Sequence, residues 1–305
     1  MARRALAVGL IVTVAAAFVA CGSDGSSGPQ RPGGFDGDRA FHDLEAQVAL
    51  GPRPSGSPGA SREVGLIRSR LVAAGITRTR LQHPRRNVIA TIPGSEPGYV
   101  LAGAHYDTKE GIPGFVGAND GASGVAVLLE LARALPKHLD GPSLQLVFFD
   151  GEEARGNREF TEDGTRGSRQ YVRYAATGGK QGSAPIAEIK AMLLYDMVGD
   201  CDLQIPLEEF SDPDLYGAFA DAASDVSGDG SPEPFTGSAD GVLDDHIPFR
   251  GAGVAALDLI DFDYGPGPTP GAWWHTRRDT VAHVCADSLD AVGDASLRAL
   301  PGLGG

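Results

Sequence analysis

A repeated pairing constrains this chain more than anything else in it: a short apolar run suited to a strand, closed within a residue or two by an acid or a histidine. Leu101-Ala-Gly-Ala leads to His105 and Asp107, Leu146-Val-Phe-Phe to Asp150, Glu152 and Glu153, and Leu193-Leu-Tyr to Asp196, while Asp258 lies inside Leu257-Asp-Leu-Ile. Between these runs the apolar period changes to that of a helix, as at Val125, Leu128, Leu129 and Ala132. Alternation of the two periods is the pattern of an α/β domain with a largely parallel sheet. Strands are expected over 87–92, 99–104, 144–149, 191–194 and 254–260. Helices are expected over 41–50, 61–74 (ending at Gly75), 124–135, 167–174, 214–223 and 288–300, with 227–241 as a surface loop. Open α/β sheets bind ligands beyond the carboxyl ends of their strands, which is where the acids and histidines fall.

Composition narrows the chemistry. The chain has 26 Lys+Arg against 40 Asp+Glu, a formal charge of −14 with no visible basic patch, which speaks against a nucleic-acid surface. Its 3 cysteines show no Cys-x-x-Cys spacing, so metal chemistry here has to use histidine and carboxylate. Whether Cys201 and Cys285 pair is left open, because a disulfide needs a Cα separation that sequence does not supply.

The amino terminus stands apart. Arg3 and Arg4 precede an apolar run from Ala5 to Ala20, too short to span a bilayer, and then Cys21. The Phe-Val-Ala-Cys ending resembles a bacterial lipoprotein cleavage box, with Phe18 where Leu is more usual. Residues 1–21 are therefore expected to be a lipoprotein-type signal ending at a lipidated Cys21, 22–37 a flexible tether, and 38–305 a single catalytic domain. An ordinary signal peptide cut nearby is the alternative. Either way the mature chain is expected to be exported; in the first case it sits in a bacterial cell envelope and meets the membrane by its lipid anchor only.

Carboxylates gathered at one sheet edge repel each other, and a divalent cation relieves that repulsion. Candidates are His105, Asp107, Asp120, Asp150, Glu152, Glu153, Asp196 and Asp258, joined by Asp244, Asp245, His246 and His275 from loops near the carboxyl terminus. Oxygen and imidazole donors without thiolate suit a catalytic zinc. His-x-Asp at a strand end lets Asp107 accept the second ring N–H of His105. One of the adjacent pair Glu152-Glu153 can bind metal while the other faces substrate as a general base. Each piece has a bland alternative: His-x-Asp on a surface, a Glu pair opening a helix, Asp120 as a helix cap. Gly121-Ala-Ser123-Gly-Val125 lacks the last glycine of a nucleophile elbow. A calcium loop starting at Asp261 fails at its twelfth position, which is Ala272.

Taken in order, the segments GAHYDTK (103–109), FVGANDGASGVAVLLELARAL (115–135), LVFFDGEEA (146–154), GSR (167–169), LLYDMVG (193–199), DDHIPFRGAGV (244–254) and WHTRRDT (274–280) resemble the M28 zinc-dependent exopeptidases and, within that fold, the glutaminyl-peptide cyclotransferases. The resemblance implies a three-layer α/β/α sandwich with a mixed, mostly parallel central sheet. It implies Asp120, Glu153 and His275 as ligands of one zinc and Glu152 as proton shuttle. In a dizinc aminopeptidase His105 and Asp196 would hold a second zinc bridged by Asp120; in a cyclotransferase with one zinc, Asp196 and Asp244 would orient the shuttle. Trp274 and Phe160 would line the pocket. Phe160 stands where a cyclotransferase tryptophan is expected, Asp258 replaces a histidine, and Ala104 and Val125 replace a pair of cysteines.

The preferred expectation is a cyclotransferase acting on peptide or protein N-termini, turning N-terminal Gln into pyroglutamate with release of ammonia. A dizinc aminopeptidase is the alternative. A non-catalytic binding ectodomain is remote, because His105, Asp120, Glu153, Asp196 and His275 all survive.

Overall fold

The computed structural model describes residues 34–224 and 234–303. Cys21, the signal segment and the tether up to residue 33 lie outside these described residues. Within them the chain runs through helices α1 (Gly37–Val48) and α2 (Pro58–Ala73), then strands β1 (Thr79–Leu81), β2 (Val88–Ile92) and β3 (Gly94–His105). Helix α3 (Ser123–Ala134) and strand β4 (Leu139–Phe149) follow, then α4 (Phe160–Asp163), α5 (Arg166–Ala176) and β5 (Ile189–Asp196). The remainder is β6 (Leu207–Glu208), α6 (Pro213–Ser224), β7 (Ser238–Ala239), α7 (Ile247–Gly251), β8 (Ala256–Ile260) and α8 (Ala286–Ala299).

The main sheet has the order β1-β2-β4-β3-β5-β8. Strands β4, β3, β5 and β8 are parallel, and β2 and β1 add antiparallel at one edge. The expected mixed, mostly parallel sheet is what forms. Because side chains alternate across a strand, consecutive residues go to different cores. Val100, Ala102, Ala104, Leu146 and Leu193 join α1, α2, α3, α6 and α8 on one side. Leu101, Val147, Phe149, Met192 and Leu194 join Tyr171, Ala175 and Phe249 of α5 and α7 on the other. These are the three layers. Helix α3 lies so close to β5 that a Cβ on Gly124 would sit 2.0 Å from Tyr195 O.

Several boundaries differ from the sequence expectation. Helix α1 starts at Gly37, not Phe41, because Asp36 caps it by accepting from Arg39 N at 2.9 Å. Phe35, assigned by sequence to the tether, is buried against the core. Helix α2 starts at Pro58 behind Ser57, which accepts from Ala60 N. The expected surface loop 227–241 is partly outside the described residues, but Phe235 within it is buried and packs edge-on to Phe219 at 5.1 Å. Cys201 and Cys285 are disulfide-bonded, with Cα atoms 4.8 Å apart, and tie the segment after β5 to the start of α8. Among the described residues no helix is long and apolar enough to cross a membrane.

Candidate active site

The carboxyl ends of the parallel strands converge. His105 ends β3 and Asp196 ends β5, and His105 Nε2 lies 3.1 Å from Asp196 Oδ1 and 3.3 Å from Asp120 Oδ1. Asp120 sits in the turn before α3, its other oxygen 3.3 Å from His275 Nε2. His275 Nε2 in turn meets Glu153 Oε1 at 3.0 Å. Two donor groups result, His105/Asp120/Asp196 and Asp120/Glu153/His275, each with its ligand atoms within 4.8 Å of one another and sharing Asp120. Asp120 is not the cap of α3: that position is Ala122, without a side-chain hydrogen bond.

All five side chains come from loops or strand ends, and two backbone positions there are unusual. His275 has φ +50° and Met197, which follows Asp196, has φ +49°. Non-glycine residues held in the left-handed region cost about 1–3 kcal/mol and persist where the surroundings impose them, a pattern concentrated at functional sites.

Electrostatics favour a cation between the groups. The carboxylates Asp120 and Glu153 raise His275 to about 10 even though burial, the largest influence, acts downward. Burial acts upward on Asp120, yet the flanking imidazoles hold its carboxyl well below the usual range. Asp120 Oδ2 makes no hydrogen bond despite being buried. Five converging oxygen and imidazole donors with surplus negative charge fit a divalent metal.

Glu152 and Asp244 lie beside the donor groups and are both buried. Burial pushes Glu152 well above the ordinary carboxylate range, with Glu153, Asp245 and Asp196 adding to it and His105 opposing. Burial likewise raises Asp244, with Asp258, Asp196 and Glu152 reinforcing it. Trp274 stacks on His275 with ring centroids 3.8 Å apart and meets Phe262 edge-on at 5.4 Å, giving the site an apolar wall. Trp273 packs against Tyr264 and His283.

The described core of the chain, residues 87–300, matches the model of peptidase family M28. The chain belongs to peptidase family M28. Like this M28 chain in fold is an Acidobacteriales bacterium glutaminyl cyclase, 33% identical with a TM-score of 0.76, covering 90% of this chain and 96% of that one. A Porphyromonas gingivalis glutaminyl cyclase is 30% identical with a TM-score of 0.74, over 87% of this chain and 98% of that one. The glutaminyl-peptide cyclotransferase of Boiga irregularis is 28% identical over 68% of this chain and 62% of its own length, so the chain spans about three fifths of that relative.

Other M28 residues of this chain take places that the sequence reading assigned differently or missed. His105 Nδ1 is 3.1 Å from the main-chain oxygen of Asp107, while the Asp107 carboxylate is 3.7 Å away. Asp107 Oδ1 instead accepts from Gly151 N at 2.8 Å and Glu152 N at 3.0 Å, so that it positions the turn bearing the Glu pair. Asp150 accepts from Arg86 N and belongs to neither donor group. Asp258 and His246 also stand apart from both: His246 lies 3.4 Å from Asp258 on one ring nitrogen and 3.4 Å from Glu208 on the other. Asp245 accepts from Ser168. Phe160 opens α4 with its ring against Gly164. Lys109, not singled out by sequence, donates to Ala154 O at 2.7 Å and lies 3.6 Å from Glu153 Oε2. Asp279, also not singled out, receives N–H bonds from Asn119 and Asp120.

Proposed function

We propose that the chain is a zinc-dependent glutaminyl-peptide cyclotransferase that converts an N-terminal glutamine into pyroglutamate and releases ammonia. The observation that carries the choice of cyclisation is the likeness, at 33% identity, to an Acidobacteriales glutaminyl cyclase covered over 96% of its length. The donor chemistry supports zinc: two imidazoles and three carboxylates, no thiolate. Asp120, Glu153 and His275 would hold it. When bound, zinc supplies Lewis acidity toward the γ-carboxamide oxygen of the substrate.

The protein's own residues account for the rest. Trp274 and Phe262 form an apolar wall for the glutamine side chain, and Phe160 is assigned to the substrate pocket on the family resemblance. The substrate's α-amine nitrogen bonds to its own γ-carboxamide carbon, the bond from that carbon to the amide nitrogen breaks, and one proton passes from the first nitrogen to the second. Glu152 carries that proton, and its burial raises its basicity above that of an ordinary carboxylate. Asp196 and Asp244 orient Glu152. Both reacting groups belong to one residue, so holding them in a near-attack geometry supplies much of the acceleration.

A second reading rests on the group His105/Asp120/Asp196, whose donors also suit an ion. If His105 and Asp196 held a second zinc beside that of Asp120, Glu153 and His275, the chain would be an aminopeptidase, with Glu152 taking a proton from the attacking water. Incubating the zinc-loaded protein with Gln-, Leu- and Ala-peptides separates the readings: cyclisation loses ammonia alone, whereas hydrolysis releases the first residue. We further assign the chain to a bacterial envelope, anchored through Cys21. The Cys201–Cys285 bond supports an oxidising compartment. Globomycin-blocked processing or palmitate labelling lost in Cys21→Ala tests the anchor.

A further inference from the structure

The loop Val116–Asp120 delivers the one carboxylate common to both donor groups, and two buried residues of opposite charge hold it. Arg53 is fully buried and donates from Nη1 to Val116 O at 2.8 Å and from Nη2 to Gly117 O at 3.1 Å. The same guanidinium donates to Tyr106 O, between His105 and Asp107, at 3.3 Å, and to Gln47 O and Gly51 O at the end of α1. Its main chain adds a reciprocal pair with Thr108: Arg53 N to Thr108 Oγ1 at 2.8 Å and Thr108 N to Arg53 O at 3.3 Å. Asp279 takes the other polarity of the loop, accepting from Asn119 N at 2.8 Å and Asp120 N at 3.1 Å, with Tyr264 Oη donating at 2.8 Å. The loop folds back on itself at Gly117, φ +54°, where a Cβ would fall 2.2 Å from Asp120 O.

We propose that Arg53 and Asp279 are positioning residues that clamp this loop, one by its carbonyls and the other by its amides, and so set the affinity of the metal site. The inference rests on the reading of Asp120 as a metal ligand. Its logic is chemical. Five carbonyls need the forked, five-donor guanidinium; the three-donor ammonium of lysine does not satisfy them. Two converging N–H groups need an acceptor with two oxygens, which an isosteric amide lacks, and the unmatched buried N–H then disfavours the native loop. Because Asp279 lies four residues after His275, the same contact couples the Asp120 loop to the segment that carries another ligand. Groups that orient metal ligands typically govern affinity by about 10–100-fold.

The test is zinc affinity of the full chain by chelator competition, with the unfolding midpoint of the metal-free protein measured on the same samples. Asp279→Asn and Arg53→Lys are each expected to weaken zinc by about 10–100-fold. The double variant should weaken it by less than the product of the two, since both act on one loop. Glu63→Gln, which alters the buried carboxylate 3.6 Å from Arg53 Nε whose own oxygens make no hydrogen bond, is the control: it leaves zinc within about threefold of wild type whatever it does to the midpoint. If Arg53→Lys fails to fold, Asp279→Asn decides, together with amide exchange at Asn119 and Asp120, which should accelerate while the core strands stay protected. Zinc affinity within about twofold of wild type in folded Asp279→Asn, affinity losses that follow the midpoint in all variants, or fully multiplicative effects overturn the clamp. A wild-type chain that binds no zinc would instead overturn the metal-site reading itself, and the clamp with it.

Discussion

At the scale of single residues, the site depends on carboxylates doing different work in nearly one place. Glu153 and Asp120 meet imidazoles directly, whereas Glu152 is buried beside them with no such contact and is left to move a proton. Glu152→Gln is expected to lower kcat by about 100-fold or more while zinc content stays at the wild-type level; steady-state kinetics with metal analysis checks both halves. Arg53 and Glu63 give a pH prediction away from the metal. Burial is the largest influence on both, lifting Glu63 from 4.5 to about 7 and lowering Arg53, with Arg53 opposing and Asp43 reinforcing the rise at Glu63. A raised acid binds its proton more tightly in the folded state, so its stability contribution is complete below pH about 4.5 and falls as pH rises to about 7. Denaturant titrations should show that decline, amounting to a few kcal/mol at most, and Glu63→Gln should flatten it. The five converging donors were legible in the sequence because each follows an apolar strand or lies in a recognisable motif. Arg53, Asp279 and the true partner of Asp107 were not, since they act through main-chain atoms and one loop's carbonyls look like any other's.

At the scale of elements, strand interiors were readable and strand ends were not. Leu146–Phe149 and Ala191–Leu194 are continuous apolar runs, as strands buried on both faces should be. The first half of β3 and of β4, where the pattern turns polar, pairs only through the sheet ladder: Tyr99 opposite Ser143, with register shifts on the way from Gly94. Strands of two or three residues, such as β1 and β6, leave no period to read. Helix α1 was placed late because its cap, Asp36, lies in a Gly- and Pro-rich stretch. Packing between elements carries its own prediction. Gly124→Ala puts a methyl against Tyr195 O, so it should destabilise by about 1–3 kcal/mol, with an overpacking penalty visible as a lower urea midpoint at unchanged slope. The disulfide closes a loop across 84 residues. Replacing both cysteines by serine should cost about 2–4 kcal/mol, read by the same titration.

For the whole molecule, the sheet gathers the acids and the metal makes the gathering tolerable. Much of the −14 formal charge lies elsewhere, but the buried carboxylates of the site are the part that opposes folding most directly. Zinc is therefore expected to raise the thermal midpoint, with a gain of about 2.7 kcal/mol at a hundredfold excess over Kd, and EDTA should remove it. The family and the layered fold follow from sequence order alone, because the same strand-then-ligand rhythm encodes both. The choice between cyclising and hydrolysing an N-terminus does not follow from that rhythm, because both donor groups are complete and share Asp120. The measurement that decides is the mass of a Gln-initiated peptide after incubation with the zinc-loaded chain, with a Leu-initiated peptide alongside. The account predicts a loss of about 17 mass units, one ammonia, from the first peptide and no change in the second. Release of free glutamine or leucine, with shortened peptides, would contradict it.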